Sequence, residues 1–166
     1  MSITNKTMVT PSGNITVTKD SSNENYDVSR VNNNTEAFAN AITALTGLLT
    51  ISATDIKSAI TNSVWNTSAS GLVLVQRKMG HLVIISVSVI NASTIPSSAA
   101  TELVPSNTVA KPYAAQRWSL VTQRGNTCIV TVTAEGGITV QGYPEDIPAT
   151  QQANFLRGNL MYFTAD

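Results

Sequence analysis

The clearest pattern of apolar and polar positions is a seam through residues 28–49. Mostly apolar residues recur there at spacings that alternate between three and four, as in the heptad repeat of a coiled coil. Asn and Thr cluster at 32–35 and lower the helix propensity, so a helix of this length is not expected to be stable alone. Helices of other copies would cover the seam; the alternative is an amphipathic helix packed on its own domain. The predicted trimer-interface positions are Val28, Val31, Thr35, Phe38, Ile42, Leu45 and Leu49.

Residues 71–166 follow a different pattern, in which short runs rich in β-branched residues alternate with turn signals. Residues 82–90 form the longest run, with Ser86 and Ser88 marking one face, and residues 78–81 supply a hairpin turn before it. Six or more short strands with turns between them favour an antiparallel β-barrel or β-sandwich. The predicted strands are 71–76, 82–90, 118–122, 127–133, 138–141 and 159–163.

These patterns predict three zones and a mainly β fold. Residues 1–49 form an N-terminal attachment segment with one strand at 14–18 and the coiled-coil helix. Residues 50–70 form a neck, where apolar residues continue the helix or begin a new one. Trp65 lies in this zone and is expected to pack between copies of the chain. Residues 71–166 form a β head, which a helical coiled-coil stem joins into a homotrimer.

Composition excludes some partners. Charged residues make up 12% of the chain, the formal net charge is zero, and Ser, Thr and Asn fill 54 of the 166 positions. A surface that is polar but nearly uncharged lacks the basic stripe needed to bind nucleic acid or an anionic membrane. No apolar run reaches the length of a transmembrane helix, and the first residues lack a signal-peptide core. We therefore expect synthesis in a cytoplasm; if the protein acts outside a cell, a route other than a signal peptide takes it there, and a virus particle released by lysis is one such route.

Catalytic and metal chemistry find little support in the sequence. His81 is the single histidine and lies in the predicted hairpin turn, and the single cysteine, Cys128, lies in an apolar strand where a buried thiol is expected. One of each nearly excludes a His/Cys metal site, so no cofactor is predicted. Glycosidases need two facing carboxylates; Glu145 and Asp146 are neighbours in a Pro-flanked loop and are expected to diverge. The sequence predicts a protein that is not an enzyme.

Three stretches of the head resemble a known family. They are residues 76–83 (a basic pair and Gly before a β-branched strand), 111–121 (Lys-Pro-Tyr, then Trp-Ser-Leu-Val) and 157–163 (Arg-Gly-Asn-Leu-Met-Tyr-Phe). Together they resemble the C-terminal heads of receptor-binding proteins from tails of siphophages that infect lactic acid bacteria, of the lactococcal type. Residues 25–34 are similar to the helix start of many phage tail-fibre and baseplate proteins.

The resemblance implies a homotrimer that attaches to a phage baseplate protein through its N-terminal segment and binds a bacterial cell-wall polysaccharide. Members of the family with known saccharide sites use a His and an Asp on one strand, a Trp on the next, and the Arg of the terminal motif. Those positions fall here near Ile129 and Thr131, and near Val140 or Gln141, so only Arg157 is retained. The resemblance therefore supports the fold of the head more strongly than it supports the family's saccharide-binding residues.

Candidate saccharide-binding residues combine hydrogen-bonding groups with an apolar platform. Arg157 offers a rigid donor fork, although an ion pair with a loop carboxylate is an equal alternative. Tyr143 is expected to stack on a sugar ring or to anchor its loop, and Trp118 is the second aromatic candidate or a core residue. The remaining candidates are polar strand positions that the resemblance puts near Arg157. The full set is Arg157, Tyr143, Gln141, Thr131, Asn159 and Trp118.

The sequence thus predicts a receptor-binding protein of the distal tail or baseplate of a virion. Weak single sites on a trimer would act together by multivalency. Two alternatives remain open: a structural baseplate or fibre subunit without a receptor site, and a glycan-degrading tail enzyme.

Overall fold

The structure is a computed structural model that describes residues 3–10, 13–20, 28–149 and 154–164. The chain divides into two compact units, residues 1–50 and residues 51–166. Its helices are α1 (Val28–Leu49) and a 3-10 turn (Lys57–Ala59). Its strands are β1 (Ile3–Thr10), β2 (Gly13–Asp20), β3 (Ile51–Asp55), β4 (Val73–Met79), β5 (Leu82–Val89), β6 (Thr101–Val104), β7 (Gln116–Val121), β8 (Thr127–Val132), β9 (Ile138–Gly142) and β10 (Leu156–Phe163).

The first unit contains a hairpin and the helix that the heptad pattern predicts. β1 and β2 pair antiparallel from Ile3 opposite Asp20 to Thr10 opposite Gly13. The strand predicted at 14–18 is confirmed, whereas β1 was missed because its sequence has few apolar residues and they do not alternate with polar ones. α1 covers the whole 28–49 interval. No helix among the described residues has the length and apolarity needed to cross a membrane.

The heptad seam of α1 is uncovered in the single chain. Phe38, Ile42, Leu45 and Leu49 are 50%, 65%, 58% and 64% exposed, and Thr35 is also exposed. The side chains of the two valines at 28 and 31 lie outside the described residues. Large apolar side chains lined along one helix face are unusual on a free surface. The structure therefore does not support the alternative, in which the helix buries this seam within its own domain.

The second unit is built from two four-stranded antiparallel sheets. The first sheet has the strand order β10-β5-β4-β3 and the second the order β6-β9-β8-β7. The predicted hairpin at 76–83 is confirmed, with Met79 opposite Leu82. The mainly β class with antiparallel sheets is thus confirmed. Among the described residues the strands form two layers around one core, so of the two predicted architectures the structure has a sandwich.

The core lies between the two sheets and follows the strand alternation. Val83, Ile85 and Val89 of β5 are fully buried, as are Cys128 and Val130 of β8, and residues of both sheets belong to one apolar cluster. The residues between them point outward, which includes the two serines of β5 that marked that face. Cys128 is a buried free thiol as expected, and burial raises its pKa to about 11.

The interval 50–70 contributes directly to the second unit. β3 pairs with β4, from Ile51 opposite Met79 to Asp55 opposite Val75. The prediction that Trp65 packs between copies is wrong: it is 4% exposed, and its indole N–H donates to the Glu102 carbonyl oxygen at 2.7 Å within the same chain. An amphipathic indole is most stable where the ring is buried and its N–H has a partner, and the chain itself supplies both.

β6 lies in the 91–117 region that the sequence marked as loop-rich. It is only four residues long, ends before Pro105, and pairs with β9 across a register shift between Glu102 and Val104. Its inward residues, Leu103 and Val104, are almost fully buried. Such a short edge strand has too few residues to display an alternation, so tertiary pairing defines it.

Candidate functional site

Three of the predicted saccharide residues lie on the outer side of the second sheet. Thr131 alternates with the buried residues of β8, and Gln141 alternates with those of β9, so both side chains point away from the core. Thr131 pairs with Thr139, two residues before Gln141. Diagonal neighbours of this kind lie about 7–8 Å apart. Tyr143 follows β9 directly and is 57% exposed.

Polar side chains continue along this sheet in two rows. Arg117 lies opposite Thr131, which lies opposite Thr139, and Glu102 completes that row on the edge strand. The second row runs from Ser119 through Ile129 to Gln141, and the residues of both rows are exposed or half-buried. The outer face of the second sheet is therefore hydrophilic, with donors and acceptors spaced at strand separation.

The loop after β9 folds back and adds fixed polar groups to this face. The Gln141 amide donates to the Ser97 carbonyl oxygen at 2.6 Å. Ser97 in turn donates to Asp146 Oδ1, with its backbone N–H at 2.6 Å and its hydroxyl at 2.7 Å. Gly142 permits the close turn, since a Cβ there would collide with the Glu145 carbonyl oxygen. We call Ser97, Gln141, Tyr143 and Asp146 the Tyr143 site.

The Tyr143 site offers directed hydrogen bonds beside an aromatic ring. The bonds from Ser97, first its N–H and then its hydroxyl, hold the pKa of Asp146 below its ordinary 3.8. Both bonds end on Oδ1, and no described residue donates to Oδ2, which remains a charged acceptor. A charged acceptor and an exposed ring three residues apart in one loop fit a sugar, whose hydroxyls donate and whose apolar face stacks. The geometry needs no movement of the Asp146 side chain.

The pH dependence of binding follows from the ionisation of Asp146. Because its pKa is lowered, the charged form and its Ser97 bonds persist even at the ordinary carboxyl value of 3.8 and are lost only as the pH falls through the lowered value. We expect saccharide binding through this site to be equal at about pH 7 and about pH 5 and to fall only at a pH below 3.8. Binding of cell-wall polysaccharide at constant ionic strength measures this, and a binding midpoint near neutral pH would contradict the role of a carboxylate.

Arg157 and Asn159 lie elsewhere, on the outer face of the first sheet. Arg157 pairs with Ser88 and donates from Nε to the Ser88 hydroxyl at 3.3 Å, while its guanidinium carbon lies 5.0 Å from the centre of the Phe155 ring. Asn159 accepts from the Ser86 hydroxyl at 2.9 Å. The alternative of an ion pair between Arg157 and a loop carboxylate is not seen among the described residues. The Arg157 head group is held by its own chain through a stacked ring and a hydroxyl.

Trp118 lies on the core side of the second sheet and does not join either group. It is half-buried and packs against the core, with its ring centroid 6.3 Å from that of Tyr162 at a tilt of 52°. Tyr162 donates its hydroxyl to the Ala110 carbonyl oxygen at 2.6 Å, and burial raises its pKa. Tilted aromatic pairs of this kind stabilise a core. The placement corresponds to the core alternative given for Trp118.

Two members of the Tyr143 site escaped the sequence analysis. Ser97 lies 44 residues before Gln141 and 49 before Asp146, and no local pattern links them. Asp146 was considered as half of a carboxylate pair with Glu145 and as a loop carboxylate that could pair with Arg157. The exposed Tyr-Pro-Glu-Asp turn was the available signal, because such turns present side chains at fixed angles.

Two surface cavities of about 560 Å³ each lie in the second unit as well. The more polar one includes hydroxyls of residues 58, 67 and 68, and its Lys57 is paired with Asp55 at 3.1 Å. The more apolar one opens beside the end of β10. It is lined by Leu82, Tyr113, Gln116, Met161, Tyr162 and Phe163.

No protein-family model matches this chain, and no curated protein matches it either. The residues and their geometry are therefore the basis for assigning a function.

Proposed function

We propose that this protein is a receptor-binding subunit of a phage tail or baseplate, which attaches the virion to a bacterial cell-wall saccharide without catalysing a reaction. The observation that carries the proposal is the exposed apolar seam of α1 on a chain whose other unit is a β-sandwich. The resemblance of the head to lactococcal-type receptor-binding proteins supports three copies. The N-terminal segment then attaches the trimer to a baseplate protein at the distal end of the tail.

Assembly through α1 is supported by the physical cost of leaving its seam in water. Each large apolar side chain that leaves water contributes about 1.5–3 kcal/mol when fully buried. Phe38, Ile42, Leu45 and Leu49 are each at least half exposed in one copy. Their heptad spacing is the one that lets identical helices cover each other. Assembly in turn multiplies the number of binding sites that one particle presents.

Saccharide recognition is supported by the Tyr143 site. Asp146 Oδ2 and the Gln141 carbonyl are acceptors for sugar hydroxyls, and the ring of Tyr143 provides a stacking surface. Neighbouring rows of polar residues extend the surface along a polymer. A single site of this size binds weakly, so attachment depends on several copies acting together.

The test is binding of the full-length chain to immobilised cell-wall polysaccharides of lactic acid bacteria. Tyr143→Ala is expected to weaken each site about tenfold, through loss of the stacking surface, whereas Tyr143→Phe keeps the ring and the affinity. Asp146→Asn is expected to weaken binding by a similar factor, because a charged acceptor becomes a neutral amide. Biolayer interferometry at low and high polysaccharide density separates the single-site effect from avidity.

The matched control is Glu135→Gln, which makes the same charge change in the turn at the opposite end of β9. Its binding is expected to equal that of the natural protein. A wild-type chain that binds none of these polysaccharides at high density would refute the receptor-binding proposal. Equal losses in the Asp146 and Glu135 variants would remove the Tyr143 site from it.

A second candidate function is a structural baseplate or fibre subunit without a receptor site. It is favoured by Arg157, the one residue retained from the saccharide set of the family, because Phe155 and Ser88 of its own chain engage it. On this hypothesis the Tyr143 and Asp146 variants leave particle adsorption unchanged. Disruption of the α1 seam would still abolish particle assembly on this hypothesis. The two functions are therefore separated by the Tyr143 and Asp146 variants, which weaken adsorption only if the protein is a receptor-binding subunit.

A further inference from the structure

The outer face of the first sheet is apolar along one half. In the register of the sheet, Ile51, Met79, Leu82 and Phe163 form a single row across all four strands. The next row contains Ala53, Arg77, Ile84 and Met161. We call these two rows the apolar half-face. The second cavity and its Tyr113 adjoin the apolar half-face at β10.

The apolar half-face is exposed to an unusual degree. Ile51, Met161 and Phe163 are 63%, 61% and 65% exposed, and Tyr113 beside them is 74% exposed. At roughly 200 Å² for a fully exposed side chain of this size, these four leave on the order of 500 Å² of surface in water. Patches of this size on soluble proteins mark interaction sites, and an interface of ordinary size takes about 800 Å² from each partner.

The single charged side chain of this half-face is hydrogen-bonded within the sheet. Arg77 donates from Nη1 to the Ser86 hydroxyl at 2.9 Å, and Ser86 donates to Asn159. The Arg77 head group therefore reaches the polar row that borders the half-face. A long charged side chain of this kind can keep its head group in water while neighbouring apolar residues are covered.

The edge strand β3 is exposed on both of its faces. All five of its residues are exposed, including Ser52 and Thr54, which alternate with the outward-facing Ile51. β3 pairs with β4 on one side, and no strand of the described residues pairs with its other edge. Natural proteins protect such edges, and a partner that lies against β3 would do so here.

The chain connection identifies the partner. Thr50 is the one residue between the end of α1 and the start of β3. Helices of a bundle lie about 8–10 Å apart and two extended residues span about 7 Å, so copies joined through α1 hold their Ile51 residues within about 25 Å of each other. A compact unit of this length is roughly 35 Å across. The β3 strands of neighbouring copies therefore start closer together than the width of one β-sandwich, which brings the heads within reach of each other.

We propose that the apolar half-face is a second interface between copies of this chain, which holds the heads together next to the helical stem. The inference rests on the assembly part of the proposed function, since the connection through Thr50 brings the heads together. It leaves the outer face of the second sheet, with the Tyr143 site, directed away from the assembly. The occupant is a second copy, because Ile51 of the half-face follows the end of α1 after a single residue and is held near the same residue of the copies joined through α1.

The test is the rate at which hydrogen peroxide oxidises Met161 in the full-length chain, measured by mass spectrometry. A methionine that is 61% exposed in one copy should react almost as fast as in urea-unfolded protein. Covered by a second copy, it should react at least about tenfold more slowly. The comparison site is the methionine introduced by Val121→Met, since Val121 is 53% exposed on the outer face of the second sheet. That methionine is expected to react at the unprotected rate.

The outcomes separate the two proposals. An oligomer with a protected Met161 and a reactive methionine at position 121 supports the second interface. An oligomer with a rapidly oxidised Met161 refutes the second interface while leaving the helical assembly intact. A monomer refutes both interfaces, and saccharide binding is measured independently of either result.

A charged substitution in the apolar half-face provides a second test of the proposed interface. Phe163→Asp is expected to raise the Met161 oxidation rate about tenfold while light scattering still reports an assembly held by α1. Val121→Asp, the matched change on the other sheet, is expected to leave the Met161 rate unchanged. Equal effects of the two variants, or no effect of either, would overturn the proposal.

Discussion

Asp at both Ile42 and Leu45 is expected to convert the assembled protein into monomers at micromolar concentration. In a bundle these two side chains face the same residues of other copies, so each copy would carry two buried like charges. A buried unpaired carboxylate costs several kcal/mol, and the lost apolar burial adds to that in every copy. Sedimentation equilibrium or light scattering of the full chain gives the mass directly. Polysaccharide binding at high density is expected to fall with the loss of valency.

The control places the same two charges on the opposite side of the helix. Asn40→Asp with Thr43→Asp changes two exposed positions outside the seam, so the oligomeric mass is expected to remain that of the natural protein. Both double variants add two aspartates to α1, so they change the net charge and the helix propensity alike. A difference in their oligomeric mass therefore reports the burial of the seam positions alone. A natural protein that is already monomeric at this concentration would defeat the assembly proposal before any variant is made.

Trp65→Ala is expected to lower the free energy of unfolding by about 3–5 kcal/mol, the range for loss of a large buried aromatic. Trp65 is 4% exposed, and it joins the 51–70 segment to the sandwich through a bridge to Asn91 and a bond to the Glu102 carbonyl. Removing the ring leaves a cavity and an unpaired carbonyl. Urea unfolding followed by circular dichroism at one fixed protein concentration measures the loss.

Two variants calibrate that result. Trp65→Phe keeps most of the packing and removes the indole donor, so a loss of about 1–3 kcal/mol is expected from the unsatisfied Glu102 carbonyl and the smaller ring. Trp118→Ala removes a tryptophan that is only half-buried and is expected to cost less than Trp65→Ala. Similar losses for both Trp→Ala variants would mean that Trp65 is not the anchor of the 51–70 segment.

The parts of the fold that were predictable share one property, which is a strong local period. The heptad spacing predicts α1 over its whole length, and alternation in β5 and β8 predicts which residues face inward. β3 and β6 were missed because a short edge strand has too few residues to show an alternation. Their identity comes from pairing with β4 and β9, which no local window of sequence contains.

The candidate site shows the same division. The sequence identified Thr131 and Gln141 as polar strand positions and Tyr143 as an aromatic residue of the following loop. The structure puts the two strand positions on one sheet, with Tyr143 directly after β9. The resemblance put Arg157 and Asn159 beside them, but β10 pairs with β5 in the other sheet. Asp146 received its fixed orientation from Ser97, a contact that spans 49 residues.

Periodicity alone therefore determined the helix, its apolar stripe, and the inner and outer face of each well-marked strand, because these depend on residues within one or two turns or pleats of each other. Strand order was decided only by the tertiary structure. Alternation orients a side chain relative to its own strand, but it contains no information about which distant strand supplies the neighbouring backbone. That choice separates Arg157 from Gln141, gathers Ser97 and Asp146 beside Tyr143, and aligns Ile51 with Phe163 across four strands.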